Sequence, residues 1–383
     1  GEFIMQKKLL TIAVAAALAA PVAVMADVTV YGQAHYSYDW VDGATVGGKS
    51  VSEDATGVSR NSRIGFKGAE DLGGGLKGVW QVEAEVNGNE NGVDWRNTFV
   101  GLSGGWGTIL AGRHDTPYKL ATGKLDPFGD RIGDYNVVVA SFNGVVTSDE
   151  RAPQTIAYVS PNFAGFHGAI AYVSHYYADG KGDGDESDRA VSAMVMYDNA
   201  GFFASAAYEY GWGNNLAGVL APNLAGALGL AALPGYMDEP SITSYKFGLG
   251  YTFAGFTIGG IYENIEVDID KAGATAATAA SFKGVDRDAY YVTASYAFGN
   301  NALKGFWGMA DDIDDYKDSG AYMYGIGYDY NLSKRTTLYA MYAGINNENN
   351  GRYALWGGQG LNGSYSSNGH NVNGYSLGVI HKF

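Results

Sequence analysis

Asp179-Gly-Lys-Gly-Asp-Gly-Asp-Glu-Ser-Asp188 is the densest run of metal-ligand-type side chains in the chain, and Asp311-Asp-Ile-Asp-Asp315 is a shorter one. The first has the outline of a calcium loop. It places Lys181 at a ligand position and has no glutamate at its twelfth place, so it reads as a solvated acidic loop, with a weak divalent-cation site as the alternative. The second run reads the same way. The six histidines show no metal spacing, and there is no Gly-x-Ser-x-Gly elbow, phosphate loop or zinc motif. With no cysteine there is neither a disulfide framework nor thiolate chemistry. Asp126, Asp130 and Asp134 recur every four residues, so a helical turn would place them on one side. The chain therefore offers charge that faces water rather than a nucleophile or a metal centre. Neither an enzyme nor a cofactor is expected.

The elements that must carry those charges are strands. In Tyr375-Ser-Leu-Gly-Val-Ile-His-Lys-Phe383, Phe383, His381, Val379, Leu377 and Tyr375 share one face, while Lys382, Ile380, Gly378 and Ser376 share the other. An apolar strand left unpaired at the end of a soluble domain invites aggregation. A closed barrel in a membrane removes the edge by pairing the last strand with the first. Near the start, Val28, Val30, Ala34, Tyr36, Tyr38 and Trp40 alternate with Thr29, Gln33, His35, Ser37 and Asp39. In 76–86, Trp80, Val82, Ala84 and Val86 turn toward lipid, and Lys77, Gln81, Glu83 and Glu85 turn inward. Charged residues at mid-strand on the inner face suit a wet lumen, not a dry sandwich core. Tyr36, Tyr38, Trp40, Trp80 and Phe99 near strand ends fit interfacial girdles.

Strands are expected near 28–40, 60–69, 76–86, 96–104, 107–113, 153–160, 165–175, 188–198, 201–211, 243–253, 256–266, 287–298, 302–311, 320–330, 336–345 and 373–383, sixteen in all. Seven connections are tight and carry Gly or Asn, which positive φ requires in a tight turn: Glu70–Gly75, Gly104–Gly107, Pro161–Ala164, Asn199-Ala200, Ala254-Gly255, Gly299–Asn301 and Asn331–Lys334. Eight are long: 41–59, 87–95, 114–152, 176–187, 212–242, 267–286, 312–319 and 346–372. Strict short/long alternation is the signature of a membrane barrel with one simple and one elaborate end. Residues 215–234 are apolar but broken by glycines and Pro222, so they are a loop and not a span.

Residues 1–4 read as an expression-vector remnant. Residues 5–26 read as a secretory signal: Lys7 and Lys8, an apolar run from Leu9 to Met25, then Val24-Met25-Ala26 as a small-x-small cleavage site. The barrel would then occupy 27–383. One of the 40 acidic and two of the 25 basic residues lie in 1–26, so 39 acidic and 23 basic remain. That acidic balance argues against nucleic-acid binding.

Asn61-Ser-Arg-Ile-Gly-Phe-Lys-Gly-Ala-Glu-Asp-Leu-Gly73, followed by Gly75-Leu-Lys-Gly-Val-Trp-Gln-Val-Glu83, resembles the second hairpin of Gram-negative general porins. Arg96-Asn-Thr-Phe-Val-Gly-Leu102, Gly112-Arg113, Ser333-Lys-Arg-Thr336 and the closing His381-Lys-Phe383 extend the likeness, most nearly to the neisserial type. The resemblance implies a sixteen-stranded antiparallel transmembrane β-barrel with short periplasmic turns and long extracellular loops. It also implies a homotrimer in outer-membrane lipid and lipopolysaccharide, and a third loop folded into the lumen.

The function so implied is passive diffusion of ions and small hydrophilic solutes through a charged constriction. A substrate-specific channel is the alternative, and a surface adhesin or receptor barrel is a further one. Loop 114–152 takes the place of the constriction loop, with Asp126, Asp130 and Asp134 as its acids. Arg63, Arg96 and Arg151 match the facing wall arginines motif by motif, with Arg60 and Arg113 as neighbours. Pleat parity independently turns Arg63 inward, because Ile64 and Phe66 belong to the lipid face. Gln33 stands where enteric porins carry a first-strand lysine, which weakens the positive side.

Overall fold

Alternating residues give every strand one greasy and one wet face, and sixteen such strands close into a ring. A computed structural model describes residues 28–42, 45–46, 49–50, 56–86, 93–176, 188–213, 241–268, 285–314, 316–356 and 368–383. The expected leader, the acidic run 179–187 and the apolar stretch 215–234 lie outside them. The strands are β1 (Thr29–Asp42), β2 (Thr56–Ser59 continued by Arg63–Gly73), β3 (Leu76–Val86), β4 (Val93–Gly104), β5 (Gly107–Asp115), β6 (Arg151–Val159), β7 (Phe166–Val173) and β8 (Arg189–Asn199). They continue as β9 (Phe202–Trp212), β10 (Ser241–Phe253), β11 (Phe256–Asp268), β12 (Val285–Phe298), β13 (Asn301–Ala310), β14 (Ala321–Asn331), β15 (Thr336–Asn347) and β16 (Val372–Lys382). Each pairs antiparallel with its neighbours in sequence, as β5 does with β6 across the long third loop.

The tail closes the ring. β16 runs antiparallel to β1 from Gln33–Lys382 to Asp42–Asn373. The Gly32 N–H donates to the Phe383 carbonyl at 3.0 Å, and the Phe383 N–H donates back at 3.1 Å. A Cβ on Gly32 would lie 2.4 Å from Phe383 Cζ, so only glycine leaves room for the terminal ring. At the tight end, Ala200 (φ 50°) and Ala254 (φ 46°) each precede a positive-φ glycine. Two positive φ values in succession make the hairpin turn whose twist matches that of the flanking strands.

The outer face is apolar, and the inner face is polar except where the wall packs on the third loop. On β10, Tyr245, Phe247, Leu249, Tyr251 and Phe253 are exposed outward, whereas Ser244 and Lys246 are buried inward. No helix among the described residues is long and apolar enough to cross a membrane.

Four expectations need correction. β2 begins at Thr56, so the loop expected over 41–59 is shorter: Thr56–Ser59 pair with Tyr36–Asp39. Phe99 faces inward, not toward lipid. An extra residue in β4, between the pairs Val82–Thr98 and Ala84–Trp95, reverses the pleat, and Phe99 packs with Leu110, Ala157 and Ala171. Asp126, Asp130 and Asp134 do not lie on one helical face; residues 126–134 form linked turns, with Asp130 at φ 63°. Residues 351–356 of the expected loop 346–372 fold back into the barrel, with Tyr353 and Leu355 buried.

The third loop is the barrel's internal core. From the short helix α1 (Pro117–Leu120), capped by the Thr116 side chain, it folds into the lumen and returns at Arg151. Tyr118, Phe128 and Ile132 are fully buried on it. They belong to clusters that include Ala207, Ile261, Tyr291, Phe306, Met323 and Met341 of the wall. Burial of each such side chain is worth about 1.5–3 kcal/mol.

Candidate functional site

Three irregularities in the wall set its arginines. β2 breaks at residues 60–62, where Asn61 takes a φ of 50°. β4 carries its extra residue beside Arg96. β6 carries another between Ala152 and Thr155, with Gln154 at φ 51°. Arg63, Arg96 and Arg151 each adjoin one of these breaks, and breaks of this kind re-aim a side chain off the regular pleat.

Arg63 reaches across to the loop. Its Nη1 lies 3.2 Å from Asp130 Oδ2, and the Asn61 amide donates to Asp130 Oδ1 at 2.5 Å. Arg96 is held by its own wall: Nε donates to Glu83 at 2.7 Å and Nη1 to Glu85 at 3.0 Å. Arg151 lies 3.0 Å from Asp115 and donates from Nε to Asn97 at 3.0 Å. Two of the three arginines are thus pore-facing and partly neutralised by wall acids. Pleat alternation had already turned Glu83 and Glu85 inward; no sequence signal marked Asp115.

The loop aspartates divide the work. Asp126 accepts from the N–H of Phe128 at 2.8 Å and of Tyr135 at 3.1 Å. Asp134 accepts from Asp130 N and Asn136 N, both at 2.9 Å. These two tie the turns together, and Asp130 alone of the three pairs with a wall arginine. Burial would raise the Asp130 carboxyl, but Arg63 and the Asn61 amide outweigh it and hold it below the ordinary carboxylate range. Burial pushes Asp134 up to about 6 against the pull of its two backbone N–H partners. Burial and the neighbouring Asp134 push Asp126 well above its ordinary value.

Gln33, Arg63, Arg96, Arg151, Asp126, Asp130 and Asp134 line one water-accessible neck of about 770 Å³. Arg113 is half-buried on β5 outside that lining. Arg60 is a correction: it is fully buried and presents nothing to water. It pairs with Asp39, donates from Nε to Ser37 at 3.0 Å and from Nη1 to the Trp356 carbonyl at 2.9 Å. The neck also takes in Lys119, Glu150 and Lys382, which the sequence reading missed.

The loop is pinned to the wall by buried charge. Arg131 makes a bidentate pair with Asp329 at 2.7 and 3.0 Å, and Lys304 meets the same carboxylate at 2.6 Å. Glu263 accepts from Tyr118 and from the Ala140 N–H, both at 2.6 Å, while Arg287 donates to the Val138 carbonyl at 2.7 Å. Lys246 pairs with Asp149 in the same nexus.

A ring of sixteen strands around a charged neck narrowed by its third loop has a counterpart among known proteins: the Gram-negative porin family model matches residues 13–350. The chain belongs to the Gram-negative porins. It is 31% identical over 346 residues to the major outer membrane protein P.IB of Neisseria gonorrhoeae, covering 87% of this chain and 91% of that one. The P.IB protein of Neisseria meningitidis serogroup B is 30% identical over 343 residues, with the same coverage. Among solved structures, the anion-selective porin from Comamonas acidovorans superposes with a TM-score of 0.72 at 25% identity, over 94% of this chain and all (100%) of that one. This porin is accordingly a passive-diffusion channel of the Gram-negative outer membrane and not an enzyme.

Proposed function

We propose that the neck is the selectivity filter of a general diffusion channel with weak ion preference. The observation that carries this reading is the contact between Arg63 of the wall and Asp130 of the loop, which brings a wall cation and a loop acid to the lining of one aqueous neck. Charges placed this way make a transverse field that orients dipolar solutes and disfavours apolar ones, whose dehydration goes uncompensated. The field is muted. Arg63, Arg96, Lys119, Arg131, Arg151 and Lys382 line the neck together with Glu85, Asp126, Asp130, Asp134, Asp149 and Glu150, basic and acidic side chains in equal number, with Asp126 pushed toward its neutral form. Guanidinium suits the wall because it stays ionised beside other cations.

Planar-bilayer recording tests this. Wild-type channels are expected to show large steps with a reversal potential near zero in a salt gradient. Arg63→Glu with Arg96→Glu is expected to move that potential toward cation preference. An unmoved potential would remove the arginines from the filter; saturable block by one solute would make the channel substrate-specific, and silence would favour an adhesin or receptor. The same reading has the porin assemble as a homotrimer in contact with lipid and lipopolysaccharide, which appears as a heat-labile, detergent-resistant band on gels. Residues 5–26 act as a removable signal, checked by sequencing the amino terminus of exported protein.

A further inference from the structure

Residues 351–356, which follow β15, lie where no wall strand needs them. They turn inward over the third loop. Tyr353 is fully buried and Leu355 nearly so, in the cluster that holds Ile132 and Phe128 of that loop. At its root the segment is held by the end of β15: Asn347 accepts from the Tyr353 N–H at 2.8 Å and donates to the Tyr353 carbonyl at 2.9 Å. It then grips the third loop at Ile132 and at Asn143, whose side-chain oxygen accepts from the Arg352 N–H at 2.8 Å. The Trp356 N–H donates to the Ile132 carbonyl at 3.1 Å, and the Tyr353 hydroxyl accepts from the Asn143 N–H at 3.1 Å. Its far end is fixed to the opposite side of the ring closure, where Arg60 of the β2 break donates to the Trp356 carbonyl at 2.9 Å. Arg60 is itself locked to β1 through Asp39 and Ser37.

We infer that residues 351–356 are a strap that positions the third loop, with Arg60 as its pin and Tyr353 and Leu355 as its grips. The inference rests on the reading of the neck as the filter, since a strap matters only if loop position sets conduction. Arg60 supplies the physical reason. Three of its donors point in three directions, onto β1 twice and onto the strap once, so one guanidinium couples the seam of the barrel to the loop that narrows it. Trp356 also borders the neck, so displacement of the strap reaches the aqueous passage directly. Tyr353 and Leu355 are positioning residues; neither is among the neck-lining residues.

The test uses single-channel recording on full-length porin. Tyr353→Phe removes one hydrogen bond, and the time spent in sub-conductance levels is expected to rise about two- to tenfold. Leu355→Ala opens a cavity under the strap and is expected to go further, with a lower closing voltage and a shifted reversal potential. Heat-modifiable gel migration should be unchanged for both, which separates a loosened loop from a damaged barrel. Wild-type levels of sub-conductance in both variants would overturn the strap. Should Leu355→Ala fail to assemble, Tyr353→Phe decides alone, because it removes only a hydroxyl. If Arg63→Glu with Arg96→Glu leaves the reversal potential in place, the filter reading fails. If that potential moves while the strap variants stay quiet, only the strap fails.

Discussion

At the scale of single residues, the neck is governed less by how many charges face it than by which already have partners. Arg96 and Arg151 were legible from motif matching, and Arg63 from pleat parity as well. Their pairing with Glu83, Glu85 and Asp115 was not, because a one-residue bulge cannot be read from alternation that tolerates it. Arg60 lies only three positions before Arg63, yet at the break in β2 it is buried inside the ring, against Asp39, Ser37 and the Trp356 carbonyl. Partnering has consequences for titration. Asp134, pushed up to about 6, loses its charge between pH 7 and 5, and the neck then gains net positive charge. The reversal potential is expected to move toward anion preference across that window, and Asp134→Asn should flatten the movement. The stability sign is opposite to the usual carboxylate. A folded-state value above the ordinary one means the ionised form is disfavoured in the fold, a cost present above about pH 6. That cost is relieved as pH falls toward the ordinary range of about 4. Protease resistance of the third loop should therefore rise, not fall, on mild acidification.

At the scale of elements, strand number and the alternation of short and long connections followed from sequence period and turn chemistry. The third loop's length marked it as functional, but its fold was hidden, since its structure comes from packing on wall residues far from it in sequence. Gly327 shows why. A Cβ there would lie 2.7 Å from Phe128 Cε1, so the wall is hollowed to admit the loop. Gly327→Leu is expected to expel Phe128, expose residues 116–150 to limited proteolysis and raise unitary conductance while the barrel persists. Glu263→Ala attacks the same element through charge, because it leaves Arg287 buried with its only ion-pair partner among the described residues removed. Breaking a buried pair costs about 3–5 kcal/mol. The loop should detach from β11 and β12 in that variant, as read by protease cleavage near Ala140.

At the scale of the whole molecule, the alternating tail was the clearest sequence signal, and its partner is the one expected. What could not be read was the fit between Phe383 and Gly32. Deleting Phe383 is expected to harm assembly far more than it alters the conductance of channels that form, measured as folded yield against step size. Gly32→Leu should give the same low yield with the terminal aromatic intact, which separates seam packing from recognition of the tail.

That seam also sets a clock. Every other wall pairing joins strands that are neighbours along the chain, but Gly32 and Phe383 stand at opposite ends of the described residues. The first strand can find one partner early and must wait for the other until all the rest has been delivered. Pairings between distant parts of a chain are the slow ones. Throughout that interval the growing sheet has two open margins, each able to take up a strand from a second molecule. Seam variants that delay this last pairing, such as Gly32→Leu, are therefore expected to raise the fraction of chains lost to aggregates of their own copies.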